Sequence, residues 1–437
     1  MRIWSMIAVS SALLLSAGAA TAQSLIQVPD FGAPAIYGRG KNVSVLERDR
    51  PDYQAIGVHN GGFTLYPRLV VAVESNDNVY ASPTKKADTS VVISPSVYAQ
   101  SNWGRHSLTL SARLDQALFN HYKTEDTTAW VLQANGRIDV HGESYINIGA
   151  DLQHQFEARG SEVSVINTVH PVSYNTQGLY VRGLYGQDRF RGSVDATYRA
   201  YEYQNQDDTS GILVQEDQRD FHDFSIGGRL DYALTPDEAV FGKVTYTDTR
   251  YVHGTMDAAL PAGAFTDKRN STDVNGLVGG NFDITGVARG EIGIGYVDRK
   301  YESVNFKEVS GLSVAAKVEY FPTQLLTLTL VGQRQVNDSS FSTTGGYFQN
   351  TVTGEADYEL RRNIIISGAG GYELDQFPGL NRNDTVWNGQ LQGRYFVSRD
   401  VGLGAKLSYV KRGSDQPYPF APHYDETRFL LSVVFQR

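Results

Sequence analysis

From Phe63 onward the chain alternates apolar and polar residues with a period of two, the pattern of a strand whose two faces meet different surroundings. In the stretch from Phe190 to Ala200, one face carries Phe190, Gly192, Val194, Ala196, Tyr198 and Ala200, and the other Arg191, Ser193, Asp195, Thr197 and Arg199. Leu108, Leu110, Ala112, Leu114 and Leu118 likewise oppose Ser107, Thr109, Ser111, Arg113 and Asp115, with Gln116 as the exception. Segments of this kind fall at 63–76, 88–101, 105–121, 128–141, 144–158, 176–187, 189–204, 220–234, 238–252, 272–284, 287–302, 309–321, 324–337, 347–360, 363–375, 385–397, 400–412 and 426–436. There are about 18 of them, each long enough for the ~9–11 residues a tilted strand needs to cross a bilayer. After residue 23 no run comes near 18 consecutive apolar residues, so no helix there is expected to cross a membrane.

The connections alternate in length. Asn102-Trp103-Gly104, His141-Gly142-Glu143, Thr235-Pro236-Asp237, Pro322-Thr323, Arg361-Arg362 and Ser398-Arg399 are tight, whereas 205–219, 254–271, 338–346 and 413–425 are long and polar. Short turns at one end and long loops at the other describe an outer-membrane barrel. Tyr185, Tyr232, Tyr320, Tyr358 and Tyr395 each sit on the apolar face just before a tight turn, where an interfacial aromatic girdle belongs. A soluble sandwich has no reason to repeat Tyr there, and it leaves strand edges that closure removes. The expected fold is therefore all-β: a closed antiparallel transmembrane β-barrel of about 18 strands. An even strand number puts both termini on the turn side. The last strand carries Phe429, Leu431, Val433 and Phe435 on its apolar face, an aromatic-bearing end of the type that assembly machinery reads.

The first residues divide the chain further. Arg2, the apolar run Ile7 to Leu15 and the small residues Ala20-Thr21-Ala22 make residues 1–22 a secretory signal peptide, cut before Gln23. Residues 23–62 then form a short periplasmic leader, and 63–437 the barrel. The composition agrees: 437 residues hold 43 Gly, 26 Tyr and 19 Phe but only 3 Met, a balance that suits strands. The absence of Cys removes thiol catalysis, thiolate metal sites and disulfides. A net charge of −9 speaks against nucleic-acid binding, which needs a basic face.

Register assigns the polar face to the lumen. Its proposed lining is Arg113, Asp115, Arg137, Asp139, Arg191, Asp195, Arg199, Arg229, Asp231, Arg289, Glu291, Lys317, Glu319, Glu355, Asp357, Arg394 and Lys406, with Arg68, Tyr66, Tyr98, Tyr180 and Tyr201 also inward. The two signs nearly balance, and opposite charges on neighbouring strands are expected to pair and stiffen the wall. No catalytic constellation stands out. His121 near Glu125 and Asp126, and His222 beside Asp220 and Asp223, are the nearest approaches, and neither has a metal-ligand spacing. Gly293 and Gly295 sit mid-strand, so they serve close packing and not a phosphate loop. No cofactor and no metal are expected. The acids Asp207, Asp208, Glu216, Asp217 and Asp220 in one loop are expected to give a weak cation preference at low salt.

The stretch Arg48-Asp49-Arg50-Pro51-Asp52-Tyr53-Gln54-Ala55-Ile56-Gly57 leads into Gly61-Gly62-Phe63-Thr64-Leu65-Tyr66-Pro67. Asn76-Asp77-Asn78-Val79-Tyr80 and Ser94-Pro95-Ser96 follow. Together they resemble the putative β-barrel porin 2 family of outer-membrane proteins. That likeness implies the outer membrane of a Gram-negative bacterium, with lipid, lipopolysaccharide and the barrel-assembly machinery as partners. The leading function is a porin-like channel for hydrophilic solutes. The alternative, which the resemblance alone implies, is an exopolysaccharide export component working with polysaccharide-export proteins; a barrel-embedded enzyme ranks third.

Overall fold

The computed structural model describes residues 38–161, 168–254, 267–339, 344–417 and 421–437, so the signal peptide and the first part of the leader lie outside the described residues. The alternating segments form a closed barrel of eighteen antiparallel strands. They are β1 (Phe63–Asn76), β2 (Asp88–Ser101), β3 (Ser107–Phe119), β4 (Thr127–His141), β5 (Ser144–Phe156), β6 (Ser173–Gln187), β7 (Phe190–Tyr203), β8 (Phe221–Ala233), β9 (Glu238–Tyr251), β10 (Ser271–Ile284), β11 (Ala288–Tyr301), β12 (Val309–Thr323), β13 (Leu326–Asp338), β14 (Gly346–Arg361), β15 (Ile364–Phe377), β16 (Arg382–Phe396), β17 (Val401–Ser414) and β18 (Tyr424–Gln436). Each pairs with its neighbours in chain order. The ring closes between β1 and β18, from Arg68 opposite Gln436 to Asn76 opposite Arg428, and no barrel edge stays open.

The strand bounds read from the sequence differ from these by at most three residues. One expected turn moves. Pro322 and Thr323 complete β12 past a bulge between Tyr320 and Thr323, and the chain reverses at Gln324 and Leu325 instead. Pro lacks the N–H that a ladder needs, and a bulged strand end tolerates that loss.

The two faces separate as the period requires. On β8, Phe224, Ile226, Leu230 and Tyr232 stand exposed on the outer surface, while Phe221, Asp223 and Asp231 are buried on the inner one. Tyr185, Tyr232, Tyr320, Tyr358 and Tyr395 are all exposed on the outer wall near the turn end, with Phe190 and Phe435 beside them. A second outward set, which the sequence reading missed, lies near the loop end: Tyr198, Phe224, Tyr246, Tyr296, Trp387, Tyr409 and Phe429. Three strands carry one residue of each set eight positions apart, namely Phe190 with Tyr198, Tyr232 with Phe224, and Tyr395 with Trp387. Eight residues at ~3.4 Å each make roughly 27 Å of strand, or about 21 Å of height at a tilt of ~40°. That is the scale of an outer-membrane hydrocarbon band.

Glycine shapes the inner wall between β10 and β11. Gly279 and Gly293 face each other across β10 and β11, and the buried Phe241 ring packs against them. A Cβ on Gly293 would meet that ring at 3.1 Å. The Arg229 guanidinium lies over the ring, 3.9 Å from its centre.

Candidate functional site: the lumen and its two mouths

Hydrogen bonds that skip strands fix the inner face, because they can only cross the interior. Arg229 on β8 donates to both Glu291 oxygens on β11, at 2.8 and 2.7 Å. Arg199 on β7 reaches Asp151 on β5 at 2.9 Å. The expected pairing of charges between neighbouring strands holds for Arg289 with Glu319 and for Arg182, which stands opposite Asp195 at 3.7 Å. Elsewhere the charges pair along their own strand, two residues apart: Arg113 with Asp115, Arg137 with Asp139 and Arg229 with Asp231, each at 2.7 Å, and Lys317 with Glu319 at 3.6 Å. Residues i and i+2 share a face and lie ~7 Å apart along the strand, a span that Arg bridges and that leaves its fork aligned to a carboxylate. Arg191 lies at the turn end and meets Glu143 at 2.7 Å. Asp357 accepts the Ser367 hydroxyl, and Arg394 donates to Gln392 at 3.3 Å and faces the charges of Asp357 and Glu355. Lys406 stands between the charges of Arg428 and Glu74.

The turn-end mouth is lined by the leader. Asn42 donates to Asp283 at 2.6 Å, and the Val45 N–H donates to the Thr327 hydroxyl at 2.9 Å. Arg48 and Arg50 both bond Glu359, at 3.1 and 2.9 Å. Tyr53 packs on Phe396 with ring centres 6.3 Å apart, and its carbonyl accepts from Gln436. Asp283, Thr327, Glu359, Phe396 and Gln436 all belong to the inner rows of their strands, so residues 38–57 run inside the rim from the β8–β9 turn to β1. Val45 is fully buried there. At its end Gly57 adopts φ +78°, and a Cβ would collide with the Tyr66 ring and the Thr64 methyl. Burial alone would raise the Glu47 carboxyl; the Ser44 N–H and the Arg289 guanidinium outweigh it and hold the group below its ordinary range.

The loop-end mouth is drawn together by buried ion pairs between loops. Arg159 bonds Glu125 at 2.7 Å and also the Thr168 carbonyl at 2.8 Å. Arg219 is held between Glu157 and Glu216 over the Tyr203 ring. Glu216 therefore does not act as a free mouth charge. Of the loop acids, Asp208 is occupied by the Ser210 and Ile212 N–H groups, and Asp220 accepts from the Tyr203 N–H at 2.6 Å. Burial is the largest influence on Asp220 and pushes its carboxyl up to about 6, with the Asp217 and Glu202 charges adding to the rise.

Of the four tyrosines expected to face inward, Tyr180 and Tyr201 are buried. Tyr201 is stacked on Phe221 at 4.4 Å, and Phe221 on Tyr251 at 5.2 Å, beneath the loops. Tyr66 and Tyr98 remain half-buried on the lumen wall, 6.1 Å apart.

Neither histidine candidate assembles a catalytic group. His121 turns to Asp88 at 3.0 Å, while Glu125 is bound by Arg159 and Asp126 by the Phe119 N–H. His222 lies on the outer face beside Tyr198, and Asp223 lies on the inner one. Among the described residues no group of His, Asp and Glu side chains has the arrangement to hold a metal ion.

A family model described as putative beta-barrel porin 2 matches residues 50–437. No curated protein matches the chain. Among solved structures, the outer-membrane protein OpdK of Pseudomonas aeruginosa is similar at 10% identity, over 85% of this chain and 99% of that one, with a TM-score of 0.45. OpdO of the same organism matches at 12% identity over 86% and 97%, TM-score 0.44. OccK8 (OprE), also from P. aeruginosa, matches at 10% over 86% and 98%, TM-score 0.45.

Proposed function

The chain belongs to the putative β-barrel porin 2 family, a porin-like outer-membrane β-barrel, and from that premise we propose that it is a passive channel for small hydrophilic solutes in a Gram-negative outer membrane. The observation that carries this is the contrast between its faces. The outer wall is apolar between two aromatic belts, whereas the inner wall is lined with hydrogen-bonded charges along nearly every strand. Eighteen strands enclose more space than side chains fill, so a wall of that polarity surrounds water.

The inturned leader and the loop pairs narrow the two mouths, which restricts passage to small solutes. Outer-membrane lipid surrounds the belts, lipopolysaccharide meets the loop end, and assembly machinery inserts the barrel. No catalytic step is assigned, and no observation favours an exopolysaccharide export assembly. The test is reconstitution. Folded, signal-cleaved protein should give discrete ionic conductance in planar bilayers and admit small sugars in liposome swelling. Correctly folded, heat-modifiable protein that conducts nothing would overturn the reading.

A further inference from the structure

Most lumen arginines have a carboxylate partner, and Arg68 has none. Among the described residues no hydrogen bond or ion pair is made by its guanidinium, and its Nε is shielded from solvent without an acceptor. The charged groups that act on it are Arg113 and Arg394, both cations. Register explains the grouping. Arg68 lies opposite Ser96, and Ser96 opposite Arg113, so the two arginines flank one small residue on adjoining inner rows. On the other side, Gly404 and Ser432 separate Arg394 from Ala72 of β1, and these small residues let the long side chains approach across them. Tyr66 and Tyr98 lie next to this spot on the turn side, on the same face.

A guanidinium whose Nε is shut from water without an acceptor, and whose terminal nitrogens stay open to the lumen beside two like charges, is best completed by an anion. We propose that Arg68, flanked by Arg113 and Arg394, forms an oxyanion-binding site on the lumen wall that takes the carboxylate or phosphate group of a passing solute. Its fork suits the paired oxygens of either group, and the Tyr66 ring offers an apolar surface to the remainder of the solute. The site rests on the channel reading and gives it a substrate class: small organic anions or phosphates that dock midway through an otherwise charge-balanced pore.

The experiment measures binding and conductance separately. Benzoate, inorganic phosphate and uncharged benzyl alcohol are titrated calorimetrically into detergent-folded full-length protein at low salt, and each is then added to single channels. Benzoate, phosphate or both should bind and transiently reduce the conductance, and benzyl alcohol should do neither. Arg68→Gln should weaken the anion at least tenfold while leaving heat-modifiable migration in place, since no native bond is lost; Arg68→Lys should fall between. Binding of benzoate without phosphate assigns the site to carboxylates, and the converse to phosphates. Equal affinity in R68Q, or no anion binding by the wild type, overturns the site and leaves the channel standing. Anion binding that R68Q abolishes, in a protein that never conducts, upholds the site and removes the channel.

Discussion

Arg50 donates to Glu359 across 309 residues of sequence, at 2.9 Å, and both groups are nearly fully buried inside the turn-end rim. Arg48 shares the same carboxylate at 3.1 Å, so one inward acid on β14 anchors the leader to the wall. Removing one partner of a buried pair strands the other charge, at a cost of about 3 kcal/mol or more. Glu359→Gln should therefore free residues 38–57 while the barrel persists. Trypsin cleavage after Arg48 in the folded protein should rise by about a hundredfold, the population change that such a cost implies for local opening. Mean single-channel conductance should rise with it. Unchanged cleavage and conductance would show that the leader is held by its remaining contacts alone.

The barrel was legible because a membrane wall imposes the two-residue period on every strand, and each tight turn interrupts it. The inner and outer faces of β7, β8 and β14 could be assigned from residues such as Arg199, Arg229 and Asp357 for the same reason. What could not be read was how those charges pair. Arg229 reaches Glu291 across two intervening strands, and no local pattern encodes that distance. The leader was legible only as a segment, since Glu47 and Arg50 find their partners at Arg289 and Glu359 through closure of the whole ring. The loop-end aromatic set had a signal in the eight-residue spacing of Trp387 to Tyr395, and it needed the turn-end tyrosines as a reference.

That spacing predicts a preferred membrane. The belts marked by Trp387 and Tyr395 enclose about 21 Å of wall, and mismatch costs fractions of a kcal/mol per Å. Thermal stability after reconstitution should peak in lipids whose hydrocarbon thickness is near that value and fall in both thinner and thicker bilayers. A flat profile, or a steady rise to the thickest lipid, would place the belts wrongly.

Gly293 provides the space in which the Phe241 ring lies under Arg229. Gly293→Val should displace the ring and destabilise the barrel by about 1–3 kcal/mol, the usual range for overpacking. The double variant with Phe241→Ala should recover part of that loss, because the added methyls then occupy vacated volume. Purely additive losses in urea unfolding would mean that the glycine and the ring are independent.

The last prediction concerns Asp220 at the loop-end mouth. Its carboxyl is pushed up to about 6, first by burial and then by Asp217 and Glu202, against the opposing influence of the Tyr203 N–H and His253. An acid raised on folding is ionised at pH 7 and neutral at pH 5, and its contribution to stability grows as the pH falls through 6. The mouth then loses one negative charge over that interval. In a salt gradient, the weak cation preference expected at low salt should decrease between pH 7 and pH 5, with no comparable change in molar salt, where screening shortens the field to ~3 Å. Asp220→Asn should start from the lower preference and respond less over the same interval. A reversal potential that shifts equally in the variant and the wild type would assign the titration to another group.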